Sequence, residues 1–163
     1  MDIIAIDIIK EISGDLYYRL IDFAVGRFPV FVFVIDWDRR QQENVQKIVD
    51  DLTPYLIKRF YDKEWPGTEI LEGQVEVFHF ELNHESAHVL KKYSSSLYQW
   101  KHPMLPIDLS IMRNSTQPWL CNTAHDDAAM LFVSATERAE LLEAIPELSS
   151  CFGEEGKPLA YYE

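Results

Sequence analysis

The chain has 163 residues, 47% of them hydrophobic and 26% charged, with a formal net charge of −12. That balance describes one folded domain, residues 1–163, with a sizeable core, and excludes a disordered chain. Charge of this sign repels phosphate backbones, which argues against nucleic acid as a ligand and favours basic protein partners.

Cys121 and Cys151 are the only cysteines. Isolated as they are, they read as reduced thiols of a cytoplasmic protein, not as a disulfide framework. The first residues, Met1 to Asp7, are apolar but interrupted by acids and lack a basic start, so no secretion signal is expected. No apolar run reaches the roughly 18 residues that a membrane-spanning helix needs.

In chain order, Ile4, Ile8 and Ile12 mark one helical stripe, and Leu16, Leu20, Phe23 and Ala24 a second, with Ser13-Gly14 between them. The run Phe28 to Ile35 predicts a strand buried on both faces. Residues 42–62 predict helix, with Val45, Ile48, Val49, Leu52, Tyr55 and Leu56 on one side. Within it, Thr53-Pro54 marks either a kink or the start of a new helix. Val75 to Phe80 predicts a strand, and His84 to Trp100 a helix. Ile107 to Met112, Trp119 to Thr123 and Ala129 to Val133 predict an antiparallel meander. Ser134-Ala135-Thr136-Glu137 has capping-box form and opens a last helix, with Leu141, Leu142 and Ile145 inward and Pro146 ending it. Leu159 to Tyr162 predicts an edge strand. The fold class is α+β: a mixed, mostly antiparallel sheet of about five strands with N-terminal, central and C-terminal helices. Trp65, Trp100 and Trp119 are expected in the packing.

Three segments carry possible chemistry. His84-Glu85-Ser86-Ala87-His88 reads HExxH, and Glu81 to Leu90 resembles the helix of zinc peptidases. The resemblance implies a zinc hydrolase with His84 and His88 as ligands and Glu85 as general base. A third ligand would come from His102, Asp108, His125 or Asp126. The long metzincin pattern has His where Ser94 stands. With His84 at 0° on a helical wheel, His88 lies near 40°, while Val89, Leu90, Tyr93, Leu97 and Trp100 cluster between about 140° and 240°. Both imidazoles are thus expected to point away from the apolar stripe, beside Lys91 and Lys92.

Asp36 and Asp38 follow the strongest strand and share one side of it. Residues 31–38 resemble the first motif of haloacid-dehalogenase-type phosphatases. That implies a Mg²⁺ site, with Asp36 attacking phosphorus and Asp38 as acid/base. Arg40 stands where that family has Thr. His125-Asp126-Asp127 reads as a strand turn, a metal corner or a recognition tip. Cys121 is the one thiol with a histidine, His125, nearby in sequence.

From Asp126 to the end there are nine acidic and two basic residues. Glu137, Glu140 and Glu143 recur every third position along one outward side of the last helix. The leading expectation is a non-catalytic protein that binds a basic protein partner through Asp126, Asp127, Glu137, Glu140 and Glu143, without cofactor. In size, charge and class it is similar to acidic immunity proteins that neutralise basic toxins.

Overall fold

The computed structural model describes residues 1–158. Its elements are β1 (Ile3–Ile8), α1 (Asp15–Ala24), β2 (Val30–Ile35), α2 (Glu43–Leu52), β3 (Leu56–Asp62), β4 (Glu64–Trp65), β5 (Thr68–Glu69) and β6 (Val75–Glu81). They continue with α3 (His84–Tyr93), β7 (Ile107–Met112), β8 (Pro118–Thr123), β9 (Ala128–Ser134), α4 (Ala135–Ala144) and β10 (Phe152–Pro158). The class is α+β, as expected. Eight strands form one antiparallel sheet in the order β10-β1-β9-β8-β7-β2-β6-β3, and β4 and β5 form a separate ribbon.

The sheet exceeds the expected five strands because two segments predicted as helix, those of β1 and β3, are extended and β10 adds an edge. Ile4, Ile6 and Ile8 face the core from β1, and Asp7 points out. Spacing of four residues returns to the same face in a helix and in a strand, and β-branched isoleucines favour the strand. Similarly, α2 stops at Leu52. Thr53–Tyr55 makes a single 3₁₀ turn, and β3 follows instead of a kinked or second helix. Leu56 to Asp62 is rich in aromatic and β-branched residues, and β6 offers it an open edge. α3 ends at Tyr93, not Trp100, because Ser94 turns extended at its C-terminus. β10 lies ahead of the expected tail strand, 159–162, which falls outside the described residues.

Other elements form as the pattern dictates. In β2, Phe31, Phe33 and Ile35 face the helices, and Val32 and Val34 the opposite side, all buried. The helix-side core joins Leu20 of α1, Ile48 of α2, Leu90 of α3 and Leu141 of α4 to Phe78, Phe80, Leu120 and Leu131 of the sheet. The opposite face is smaller: Val32, Val34, Val75, Val77, Ile107 and Met112, covered by Trp65 of the ribbon. Ser134 and Glu137 close the capping box: Glu137 N–H donates to Ser134 Oγ at 3.1 Å, and Ser134 N–H to Glu137 Oε1 at 2.8 Å. No helix among the described residues is long and apolar enough to cross a membrane.

One polar chain crosses the helix-side core. Trp100 Nε1–H donates to the Tyr17 hydroxyl at 3.1 Å, and that hydroxyl donates to Leu90 O at 2.8 Å. All three residues are fully buried, so removing the bridge strands a donor and an acceptor away from water. Tyr17→Phe is expected to cost about 2 kcal/mol of stability in urea unfolding, at an unchanged denaturant slope.

His79 lies on the opposite face, buried against Phe60 with ring centroids 5.7 Å apart. Burial, and secondarily the Lys58 charge, lowers its pKa from 6.5 to about 4. The unfolded chain therefore takes up this proton first. Stability present above pH 6.5 is lost as pH falls towards 4. Paired carboxylates such as Glu76 lose theirs only below their unfolded value of 4.5. Unfolding free energy measured against pH is expected to slope down between 6.5 and 4, and His79→Gln to make that slope shallower.

Candidate functional site

The HExxH segment is a capped helix start. The Asn83 side chain accepts from Ser86 N–H at 2.9 Å, and Ser86 Oγ accepts from Asn83 N–H at 2.9 Å. Ser86 also donates to Glu81 O at 2.8 Å, so the middle residue of the motif is the one that fixes the helix terminus. His84, Glu85 and His88 are exposed and Leu90 is buried, as the wheel requires; Ala87, off the apolar stripe, is buried as well. Glu85 accepts from the Tyr55 hydroxyl at 2.9 Å. The neighbouring lysines have partners of their own: Lys91 meets Asp22 at 2.5 Å and Lys92 meets Asp51 at 3.9 Å. No three His, Cys, Asp or Glu side chains among the described residues stand together as a metal site.

Asp36 and Asp38 sit where β2 ends. Asp36 Oδ1 accepts from Asp38 N–H at 3.2 Å, and Asp36 O accepts from Gln41 Nε2 at 2.7 Å. The first carboxylate thus shapes its own turn. The enclosed carboxylate nearby is Glu76, which sequence reading passed over. It accepts from Arg59 at 2.9 and 2.7 Å and from Trp37 Nε1 at 2.9 Å. Arg59 outweighs burial and holds Glu76 below the usual carboxylate range.

The polar centre of the opposite face is Asp108. It is 1% exposed and has a φ of 63°, a left-handed conformation uncommon outside glycine, asparagine and aspartate. Its N–H donates to Trp100 O at 2.9 Å. Its carboxylate accepts from Trp65 Nε1 at 2.9 Å and from His125 N–H at 3.2 Å, and lies 2.6 Å from His125 Nδ1. An ionised carboxylate only accepts, which places the ring hydrogen on Nδ1. Burial raises the Asp108 pKa; Trp65 and His125 oppose the rise without cancelling it.

Cys121 is buried beside this centre. Burial, reinforced by the Asp108 charge, pushes its thiol up to about 12, so it stays protonated and unreactive at neutral pH. Gly67, at φ 82°, turns the ribbon directly over it. A Cβ there would lie 2.7 Å from Cys121 Sγ and from Thr123 Cγ2, which only glycine avoids.

Held from beneath by Asp108, the turn between β8 and β9 carries its polar groups outward. Ala124–Asp126 forms a 3₁₀ turn, and Asp127, at φ 51°, reverses the chain with its N–H on Ala124 O at 3.0 Å. The side chains of Asp126 and Asp127 are 73% and 67% exposed. His125 Nε2 lies 3.4 Å from Asp126 Oδ2, and Lys101 Nζ lies 2.8 Å from Asp127 Oδ1. Beside the turn runs a groove of about 820 Å³, whose walls include Tyr93, Tyr98, Glu11, Asn44 and Met104.

The other expected acids differ in role. Glu137 is taken up by Arg113 at 2.6 and 2.5 Å. Burial works against its charge, but Arg113 and the Ser134 cap hold the carboxyl below the usual range. Glu140 and Glu143 remain exposed. The seven residues of β9 separate the Asp126-Asp127 turn from the start of α4, roughly 20 Å along the strand. No protein-family profile, curated protein or solved structure matches this chain.

From the sequence, Asp108 stood only as a possible zinc ligand, and His125 as a possible ligand, part of the turn and a neighbour of Cys121. An acid inside the apolar run Ile107 to Met112 was the available signal, since a buried carboxylate demands donors. Trp65, 43 residues away, gave none. Asp108→Ala is expected to cost about 3 kcal/mol by orphaning Trp65 Nε1 and His125 N–H. Asp108→Asn, which keeps one acceptor and tolerates the backbone, is expected to cost about 1 kcal/mol. Hydrogen exchange should show faster protection loss at Asp127 N–H in the alanine variant.

Proposed function

We propose that this chain works by binding a basic protein through its acidic surface, with the His125-Asp126-Asp127 turn as the docking point. What supports this reading most is that an exposed acidic turn is clamped by a buried carboxylate. Preorganised groups lose little entropy on association, so their charge converts into affinity and on-rate. The adjoining groove adds tyrosines, the residue type that interface hot spots favour. Glu140 and Glu143 contribute long-range attraction, and Glu137 serves the fold. A basic effector that this protein neutralises, after the manner of acidic immunity proteins, is the partner to which size, charge and class point.

Pull-down on the immobilised full chain tests the reading. A basic protein should be retained at about 0.05 M salt and released at about 0.5 M, where the screening length falls below roughly 5 Å. Asp126→Asn/Asp127→Asn should weaken retention by about tenfold or more. Retention indifferent to both salt and the double substitution would contradict docking through this turn.

A further inference from the structure

The groove beside the acidic turn has the chemistry of a side-chain socket. Tyr98 is half-buried, its ring packed against the core. Glu11 and Asp127 line the same groove, and after burial their charges are the next causes that raise the Tyr98 pKa. Among the described residues Glu11, which is exposed, makes no ion pair or hydrogen bond. Met104, 51% exposed, offers a thioether at the rim. An aromatic ring and two carboxylates in one groove, with a thioether at its rim, fit a long cationic side chain.

Resting on the docking function above, we propose that this groove receives an arginine side chain of the basic partner. The aliphatic stem lies along Tyr98 and Met104, and the guanidinium reaches Glu11 and Asp127. Arginine fits better than lysine because its planar fork donates in two directions at once and stacks on a ring, whereas an ammonium is a single, strongly hydrated point. Asp127 is already paired with Lys101 across an open surface, their side chains 67% and 42% exposed. Such exposed pairs exchange partners easily. Lys101 therefore acts as a placeholder that swings to solvent when the guanidinium arrives.

The test titrates the isotopically labelled full chain with acetyl-Gly-Arg-Gly-amide at low salt, followed by NMR. The counterpart with citrulline, a neutral isostere of arginine, is the control. Saturable shifts confined to residues 93–104, Glu11 and Asp127 are expected, with the citrulline peptide about tenfold weaker or worse. Glu11→Gln/Asp127→Asn alters two exposed side chains and keeps the turn backbone, so it should fold as wild type by circular dichroism and lose the saturable response. No saturation, equal response to citrulline, or shifts centred on Glu140 and Glu143 would overturn the socket. The two readings fail separately. Salt-sensitive retention of a basic protein that Glu11→Gln leaves unchanged removes the arginine site and keeps docking. A saturating arginine peptide with no salt-sensitive protein partner does the reverse.

Discussion

A single buried carboxylate holds one whole side of the molecule together. Asp108 gathers the ribbon through Trp65, the β8–β9 turn through His125, and the segment before β7 through Trp100 O. Taking a carboxylate out of water is costly, and the cost is recovered only while every donor stays in place. The arrangement is therefore all-or-none. The ribbon is pinned to the opposite face of the sheet where Trp65 reaches Asp108, and the acidic turn is braced where His125 does.

Much of the architecture could be read from the residues. β2, β6, the β7–β9 meander and α4 announce themselves because each combines one clear period with an unambiguous end signal. β1 and β3 did not, for a shared reason. Isoleucines four apart in β1, and the continuation of a helical stripe past Pro54 in β3, satisfy both periods. Pairing with strands far along the chain decides the outcome. Site residues divide similarly. The exposure of His84 and His88 follows from a wheel, since it depends on one helix alone. The Asp108 cluster joins positions 65, 108 and 125, and local patterns carry no record of such distances.

Charge in this protein has two uses that composition cannot separate. Glu76 with Arg59 and Glu137 with Arg113 are structural pairs whose carboxylates are buried or half-buried and hydrogen-bonded in forked geometry. Asp126, Glu140 and Glu143 stay in water, where they cost the fold little and project a field outward. The formal charge of −12 therefore understates how unevenly acidity is used. Acids near arginines stabilise the sheet, and those at the turn and on α4 address what lies outside.

The place of β1 in the sheet sets the order of events during synthesis. Its first pairing joins Ile3 to Ser134, 131 positions later, and its other neighbour, β10, follows later still. At ordinary translation rates the ribosome needs roughly 7–26 s to supply that partner. Throughout that interval a run of isoleucines waits without a mate, a sticky segment that other nascent chains could capture. Early helices cannot shelter it, because the strands beside it come last. Completion of this fold is thus tied to β9 and β10, and losing either is a lesion of β1 as much as of its partner.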